Sequence, residues 1–371
     1  MAERGGRLRV IACVDIDYFF AQAEELRRPE LAGRPVVVCV FSGRDELSGA
    51  VASANYVARS FGVKAGMPIR EAVRRLGEKE AVLLPVDRQY YLELSRRTFE
   101  ALERFSGVME VVSVDEVFID LTEFAGGFDG AAEVGAELKR AVRESTGLRC
   151  SVGIGPNKLI AKVACDRSKP DGLMVVRPED VERFLEGLPV TELPFVGRKV
   201  GGRLKEMGVE KVGDLTKVDP QVLTERFGRS LGTYLYLASR GRYDEPLSPR
   251  TERKQFSRIV TLKRDSADVE EILQQLLGPV EDLCSRLVGE GLAHKGVGAI
   301  GISTDLKVYS RSLTLPRPNR ERAPVVRALR SLFAEMLSDV SGLRLRRAGV
   351  RLYELVRMRG QRTLTDFSTE T

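Results

Sequence analysis

Two short acidic stretches of the chain carry the side chains best suited to chemistry. Asp15 and Asp17 follow the run V-I-A-C-V, and Asp115 and Glu116 follow V-V-S-V. Each stretch is β-branched and apolar around its carboxylates, which predicts a buried strand. Ionised carboxylates in such a place destabilise the fold by several kcal/mol unless a positive charge meets them. Neither stretch contains a lysine or an arginine, so we expect the neutralising charge to come from elsewhere in the fold or from a metal ion.

The donor atoms of this acidic set indicate which metal would suit it. Asp15, Asp115 and Glu116 offer only hard oxygen ligands, which suit Mg²⁺ or Mn²⁺ and suit Zn²⁺ poorly. On two adjacent strands they would form a two-metal site for phosphoryl transfer. The alternative is that these residues lie at strand ends and face water, and the two stretches alone leave both interpretations open.

Length and composition indicate a soluble, globular, multidomain protein. The chain has 371 residues, of which 43% are hydrophobic and 30% charged, and this length predicts two to four domains. No run approaches the roughly 20 apolar residues that a membrane span needs. The first residues lack the apolar region of a signal peptide, so a cytoplasmic location is expected.

The cysteine and histidine content argues against two other chemistries. The five cysteines are scattered without a C-x-x-C pair, which favours buried free thiols over a zinc site. His294 is the single histidine. We expect it in a surface loop, with no role in catalysis.

Positive charge is concentrated near the end of the chain. Residues 254–360 contain 19 Lys or Arg and 12 Asp or Glu, a net charge of +7, whereas the whole chain carries +6. This asymmetry is typical of a nucleic-acid-binding module attached to a catalytic body. An ordinary solvated basic face is the alternative.

The elements that must position the acidic residues alternate between strand and helix up to about residue 180, as in a mixed α/β domain. Apolar runs predict strands at 8–15, 35–41, 81–85, 109–113, 117–121, 149–154 and 173–176. Helical patterns lie between them at 18–27, 53–60, 68–76, 87–106, 130–145 and 157–166.

Residues 181–241 differ from this pattern, because glycines divide them into short helices. A helix, a tight turn and a second helix, occurring twice, resemble the helix-hairpin-helix module, whose backbone N–H groups hold DNA phosphates. Gly197 and Lys199 are the expected contacts of the first hairpin. Phe195 stands where this motif usually has glycine, which leaves the geometry of the turn open.

The rest of the chain reads as a linker, a domain and a tail. Residues 242–250 contain two prolines and mixed charges, which predicts an exposed linker. Residues 254–357 predict an α+β domain with strands near 257–263, 296–304, 310–315 and 346–354 and helices near 268–288 and 322–338. In the polar tail, the spacing of Gln361, Leu364 and Phe367 fits a peptide that docks on a ring-shaped sliding clamp, although Ser368 replaces a second aromatic residue. A chance match is the alternative.

Six blocks, in order, make the chain resemble a Y-family translesion DNA polymerase of the polymerase IV-like branch, closest to archaeal members. The blocks are D-I-D-Y-F-F-A from Asp15, P-V-V-V-C-V from Pro35, A-V-A-S-A-N-Y-V-A-R from Ala50, S-V-D-E from Ser113, V-G-I-G-P-N-K from Val152 and K-P-D-G from Lys169.

The resemblance implies an α+β, multidomain, right-hand polymerase. Its parts would be a ferredoxin-like palm, small fingers, a helical helix-hairpin-helix thumb and an α+β little finger. The implied boundaries are 1–18 and 87–176 for the palm, 19–86 for the fingers, 177–242 for the thumb, 243–253 for a linker, 254–357 for the little finger and 358–371 for a flexible tail.

The resemblance also implies a reaction, the addition of dNTPs to a primer 3′ end with low fidelity and bypass of damaged template bases. Asp15 and Asp115 would bridge two Mg²⁺ ions, for which Mn²⁺ can substitute. Glu116 would bind the ion nearest the primer, and the Ile16 carbonyl would bind the ion on the nucleotide. Asp15, Asp115 and Glu116 would be the catalytic residues. Asp17 would support the corner between strand and helix.

Nucleotide contacts follow from the same blocks. Tyr56, Arg59 and Lys169 match family positions at the β- and γ-phosphates, and the backbone N–H groups of Phe19 and Phe20 would hold an anion at a helix start. The Phe20 ring would act as a steric gate against a ribose 2′-OH. The small residues 49–54 would form a permissive wall over the new base pair; without the resemblance they would indicate close helix packing.

The expected partners are primer–template DNA and dNTP, with a sliding clamp as the candidate partner of the tail. The protein is expected to be a monomer without membrane contact. The candidate DNA contacts of the little finger are Lys307, Arg311, Arg317, Arg344, Arg346 and Arg347. Two other readings share part of the evidence: a nucleotidyl or diguanylate cyclase, which would lack the regions after residue 181, and a non-enzymatic helix-hairpin-helix scaffold.

Overall fold

The computed structural model describes residues 8–77, 79–106, 108–249 and 253–358. These residues form two compact units. The first is drawn from residues 1–40, 51–67 and 71–250, and the second from 41–50, 68–70 and 251–371. The segment expected to form the fingers therefore contributes residues to both units.

Apart from the strand Gly49–Ala54, and from the helix that begins at Tyr56 and not at the predicted residue 53, the strands and helices of the first 176 residues lie close to their predicted positions. The described strands are β1 (Ile11–Ile16), β2 (Val36–Phe41), β3 (Gly49–Ala54), β4 (Val82–Pro85), β5 (Met109–Val111), β6 (Glu116–Asp120), β7 (Cys150–Gly155) and β8 (Leu173–Val175). The described α-helices are α1 (Phe19–Arg27), α2 (Tyr56–Ser60), α3 (Ile69–Leu76), α4 (Arg88–Leu102), α5 (Ala131–Thr146) and α6 (Lys158–Ser168).

The catalytic candidates lie on a sheet whose described strands have the order β5-β6-β1-β7-β8. β1 is central, antiparallel to both β6 and β7, and all six of its residues are buried. Its alternate faces pack against α4 and α5 on one side and α6 on the other. Burial on both faces explains why β1 is a continuous apolar run.

A glycine sets how closely α6 approaches this sheet. A Cβ atom at Gly153 of β7 would lie 2.0 Å from the backbone nitrogen of Cys165 and 2.2 Å from the carbonyl oxygen of Ala161. Only a residue without a side chain allows this contact. The glycine therefore allows α6, which carries Lys162 and is followed by Lys169, to pack against the acidic ends of β1 and β6.

β3 was not predicted. It belongs to a second sheet, with order β3-β2-β4, in the region where small residues suggested close helix packing. Ala, Gly and Ser have low strand propensity, so the sequence carried little signal. Hydrogen bonding to β2 decides its conformation.

The region after residue 176 is helical up to Ala238, as predicted, with a core of its own. Its described α-helices are α7 (Val181–Glu186), α8 (Arg198–Glu206), α9 (Val212–Leu215), α10 (Pro220–Phe227) and α11 (Arg229–Ala238).

The C-terminal part of the second unit is an antiparallel sheet with helices packed on one face. Its elements are β9 (Gln255–Ser266), α12 (Val269–Gly289), β10 (Leu292–Ser303), β11 (Val308–Asn319), α13 (Arg322–Asp339) and β12 (Leu345–Arg357). The strand order is β11-β10-β12-β9. β11 contains Pro316 and Pro318, which an edge strand tolerates because its outer N–H groups need no partner.

The five cysteines are free and buried, as predicted. In the described ranges, no helix is both long and apolar enough to cross a membrane.

The expectation for His294 was wrong. It lies on β10, fully buried, with its Nδ1 atom 3.2 Å from the carbonyl oxygen of Gly296. The strand begins at Leu292, earlier than the predicted 296, which removes the expected loop. Burial lowers the pKa of His294 below its ordinary value.

This burial predicts an acid-sensitive contribution to stability. An unfolded chain binds a proton at its imidazole near pH 6.5, whereas the folded chain binds it only at lower pH. The stability supplied by neutral His294 is therefore complete above about pH 6.5 and decreases as the pH falls below it. His294→Gln should show a shallower loss of melting temperature between about pH 7 and 5 than the parent. Parallel pH profiles for the two proteins would contradict this expectation.

Candidate active site

The structure brings the three catalytic candidates together at one end of the first sheet. Asp15 of β1 pairs in register with Glu116 of β6, and Asp115 precedes Glu116. The Ile16 N–H donates to the Asp115 carbonyl at 2.9 Å. Asp15 is only 7% exposed. It is therefore buried in the protein and does not lie at a strand end that faces water.

Two lysines supply the positive charge that the acidic stretches lack. The Lys162 Nζ atom lies 2.6 Å from a Glu116 oxygen and 3.1 Å from Asp15 Oδ2. The Lys169 Nζ atom lies 2.8 Å from Asp15 Oδ1. Both ammonium groups also contact Asp166, at 3.0 and 3.1 Å. Lys169 was predicted as a nucleotide contact, whereas Lys162 was missed; its one signal is the spacing of four residues from Asp166 on a predicted helix.

Burial and charge act in opposite directions on these groups. Burial raises the pKa of Glu116, and the ammonium group of Lys162 opposes that shift. Burial alone would lower the pKa of Lys162 and Lys169, but the surrounding negative groups raise both above the ordinary value. Both lysines are therefore charged at neutral pH.

Asp15, Asp115 and Glu116 have the oxygen donors that a hard divalent cation prefers, and they lie next to one another. The donors are carboxylate oxygens from neighbouring strands, with a backbone carbonyl available at Ile16. Among the described residues, no group of three or more His, Cys, Asp or Glu side chains is close enough to form a ready-made cage. The carboxylates are instead bridged by Lys162 and Lys169.

Asp17, which was expected to support the corner between strand and helix, forms its hydrogen bonds to a neighbouring strand and a turn. Its carboxylate accepts from Ser151 Oγ at 2.9 Å and from the Asp171 N–H at 2.6 Å. The side chain is almost fully buried, which raises its pKa. These bonds join the end of β1 to β7 and to the turn after α6.

A pocket of about 230 Å³ opens beside the carboxylates. Four of the predicted nucleotide contacts line it, together with small residues of β3. The lining residues are Asp15, Ile16, Tyr18, Phe19, Phe20, Ala52, Ser53, Arg59, Ala65, Asp115 and Lys169.

Tyr56 lies next to this pocket and supports Arg59. The guanidinium carbon of Arg59 is 5.2 Å from the centroid of the Tyr56 ring. The Nε atom of Arg59 donates to the Ala54 carbonyl at 2.8 Å, which leaves its terminal nitrogens to face a ligand. The Tyr56 hydroxyl is buried and has no hydrogen-bond partner among the residues that the structure describes, and a buried polar atom of this kind is suited to a ligand oxygen.

Phe19 and Phe20, in the first turn of α1, differ in the exposure of their side chains. The Phe19 side chain is buried, so only its backbone can serve a ligand. The Phe20 ring is partly exposed and stacks on Tyr91, with ring centroids 4.4 Å apart and planes inclined by 13°. Stacking restricts the ring to one orientation at the edge of the pocket.

The first hairpin of the helical region keeps a tight turn despite its phenylalanine. Phe195 adopts a left-handed backbone conformation, with φ of 65°, and its side chain is 76% exposed. Its ring contacts Tyr234, whose hydroxyl donates to the Pro194 carbonyl at 2.5 Å. Gly197 caps α8 and Lys199 is exposed in its first turn, where unpaired backbone N–H groups favour an anion.

The C-terminal sheet separates the predicted basic residues by face. Strand register places Arg347 in one row with Ile302 and Val308, and Arg351 in a row with Gly298 and Ser312. We call this surface the small-residue face; its members are Gly296, Gly298, Ile300, Ile302, Val308, Ser310, Ser312, Thr314, Arg347, Gly349, Arg351 and Tyr353. Arg351 was not among the predicted DNA contacts, because the residues around it in the sequence do not indicate which face of the sheet it occupies.

The other predicted basic residues of this sheet lie elsewhere or already have acidic partners. Arg311 shares a row with the core residues Ala299 and Val350 and pairs with Asp339 on the helix-covered face. Arg317 is exposed on the edge strand. Lys307 pairs with Asp305, and Arg344 and Arg346 both donate to Asp265. The clamp-binding candidates Gln361, Leu364 and Phe367 lie outside the described residues.

Three family models match the chain and together account for most of it. The impB/mucB/samB family matches residues 14–166, the thumb domain of DNA polymerase-iota matches residues 191–242, and the C-terminal domain of the impB/mucB/samB family matches residues 253–365.

Curated relatives and solved structures agree with these models. The DNA polymerase IV of Nitrosopumilus maritimus is 42% identical over 97% of this chain and 99% of its own length. That of Saccharolobus solfataricus is 36% identical over 94% and 97%. A Y-family DNA polymerase chimera of Dbh and Dpo4 matches with a TM-score of 0.88 at 33% identity, over 94% of this chain and all of the other. An insertion ternary complex of Dbh DNA polymerase covers the same shares, with a TM-score of 0.66 at 33% identity.

Proposed function

The chain belongs to the impB/mucB/samB family of Y-family DNA polymerases, and from this premise we propose that it is a template-directed DNA polymerase. It adds dNTPs to a primer 3′ end with low fidelity and copies past damaged template bases. The observation that carries the proposal is the juxtaposition of Asp15 with Glu116 beside a pocket that also holds Arg59 and Lys169. One end of this site suits metal ions and the other a triphosphate.

The catalytic residues divide into metal ligands and phosphate contacts. Asp15, Asp115, Glu116 and the Ile16 carbonyl would hold two Mg²⁺ ions, with Mn²⁺ as a substitute. When bound, the ions supply a lowered pKa for the primer hydroxyl and balance the charge of the triphosphate. Arg59 can bind two phosphate oxygens at once, whereas Lys169 acts as a point charge.

The pocket residues also account for selectivity. Phe20, fixed by Tyr91, lies where it would meet the sugar, so it discriminates against a 2′-OH. Ala52 and Ser53 line the pocket with small side chains, which leave room for a distorted base pair and test its shape poorly. This combination favours a deoxy sugar and tolerates altered bases.

Two regions of the chain hold DNA. In the helical region, Gly197 and Lys199 at the start of α8 contact backbone phosphates without reading sequence. On the small-residue face, Arg347 and Arg351 contact phosphates. Arg317 adds positive charge on the neighbouring edge strand.

The salt dependence of DNA affinity tests which face of the C-terminal sheet contacts DNA. Each phosphate contact contributes about 0.9 to the slope of log K against log salt concentration. Arg347→Ala with Arg351→Ala should therefore reduce the slope by up to about 2. Arg311→Ala with Arg330→Ala is the matched control, because both side chains pair with acidic residues of the helix-covered side. Equal slopes for the two double variants would refute the assignment of the face.

Primer extension across an abasic or bulky template lesion, in the presence of Mg²⁺, tests the proposed function. Extension past the lesion supports it, and failure to extend even an undamaged template rejects it. A cyclase would instead convert an NTP into a cyclic product without primer–template. The family matches over residues 191–242 and 253–365 favour the polymerase, because a cyclase needs neither region.

The C-terminal tail is a further proposed contact. Gln361, Leu364 and Phe367 have the spacing of a peptide that docks on a sliding clamp. If a clamp does not increase the length of products more for the parent than for Leu364→Ala with Phe367→Ala, the proposal for the tail fails.

A further inference from the structure

Lys162 is placed among the catalytic carboxylates by the fold itself. It lies on α6, whose close approach to the sheet depends on Gly153. Its side chain is 20% exposed, and its Nζ atom contacts Glu116 at 2.6 Å, Asp15 at 3.1 Å and Asp166 at 3.0 Å. A single ammonium group therefore bridges the two strands that carry the catalytic residues.

The oxygens that Lys162 contacts are the ones a metal ion would use. Lys162 holds Asp15 Oδ2 and Glu116 Oε2, and Lys169 holds Asp15 Oδ1. Two carboxylates this close together repel one another unless a cation lies between them. A metal ion and the ammonium group of Lys162 would serve the same purpose at the same place, so their binding is mutually exclusive at these oxygens.

We propose that Lys162 is a resident counter-cation that keeps Asp15 and Glu116 together and competes with the metal ion nearest the primer. This inference rests on the proposed function, in that it requires a metal ion at these carboxylates. Lys162 is thus a positioning residue: it prevents the carboxylates from separating and weakens metal binding until DNA and nucleotide add their own ligands.

The surroundings of Lys162 allow it to withdraw. Asp166, four residues along the same helix, already contacts the ammonium group and is 46% exposed. A pocket of about 360 Å³, lined by Lys162, Glu116 and Phe118 among others, lies alongside. The flexible lysine stem can turn within this space, leaving Asp15 and Glu116 while keeping the more exposed Asp166 as a partner.

Titration with Mn²⁺ alone, with free Mn²⁺ counted by electron paramagnetic resonance, tests the competition. Lys162→Met should bind Mn²⁺ about tenfold more tightly than the parent, because a unit charge within a few ångströms of the ion is removed. Lys162→Arg should remain close to the parent, because it keeps the charge. Lys158→Met is the matched control: it lies one turn earlier on α6 and pairs with Glu110, so its affinity should not change.

Two further variants show how each result of the Mn²⁺ titration is to be interpreted. Asp15→Asn with Glu116→Gln defines the part of the signal that belongs to this site. If no such signal appears even in Lys162→Met, this inference fails, whereas the proposed function is judged separately by primer extension. If the signal is present but Lys162→Met binds no more tightly than the parent, only this inference fails. Should Lys162→Met not fold, Asp166→Asn takes its place: it removes the alternative partner and should weaken Mn²⁺ binding several-fold, whereas unchanged or tighter binding would overturn the inference.

Discussion

Replacing both Asp115 and Glu116 by alanine is expected to reduce primer extension by at least about 1,000-fold. Both residues are proposed metal ligands, and loss of several kcal/mol of transition-state stabilisation corresponds to this factor. The fold should persist, because both side chains are partly exposed and Lys162 keeps Asp15 and Asp166 as partners. Single-turnover extension of a labelled primer measures the effect.

Two controls separate lost chemistry from lost structure. Glu110→Ala removes a nearby carboxylate that pairs with Lys158, outside the catalytic set, and should extend primers at close to the parent rate. The double variant should still bind primer–template with near-parent affinity, because neither residue is among the proposed DNA contacts. Template-dependent extension that survived in the double variant would remove Asp115 and Glu116 from the mechanism.

The second large effect is expected at Phe20. Phe20→Ala should increase the efficiency of ribonucleotide incorporation, relative to dNTP, by about 100-fold, because a clash between a packed ring and one extra hydroxyl costs about 1–3 kcal/mol. Stacking on Tyr91 makes the effect large, since a ring held in one orientation cannot turn aside for the 2′-OH. Single-nucleotide insertion with matched rNTP and dNTP gives the ratio.

Phe20→Tyr is the matched variant for this prediction, because it keeps the ring and its stacking partner. It should discriminate against ribonucleotides as the parent does. Melting curves show whether the alanine variant is folded, since shortening a partly buried phenylalanine destabilises a protein by up to a few kcal/mol. Equal discrimination by folded Phe20→Ala and the parent would show that the gate lies elsewhere.

The sequence by itself determined the family, the chemistry and most element positions. Asp15, Asp115 and Glu116 stand out because carboxylates in apolar runs are costly and therefore need a reason. Blocks of several residues in a fixed order are specific enough to identify a family, and β1, β6 and β7 follow from local apolar runs. These features depend on residues that are neighbours in the chain.

Only the tertiary structure decided which charges meet and which faces they occupy. Lys162 contacts Asp15 across 147 positions of the chain, and no local pattern marks that pair. Arg311 and Arg347 looked equivalent in sequence, yet strand pairing sets Arg311 opposite Ala299 and Arg347 opposite Ile302, two β10 residues that face opposite sides of the sheet. A side chain in a strand changes face with a shift of one residue. Pairing with a strand that is distant in the chain fixes this register, so the sequence alone does not show whether an arginine faces the helices or the opposite surface of the sheet.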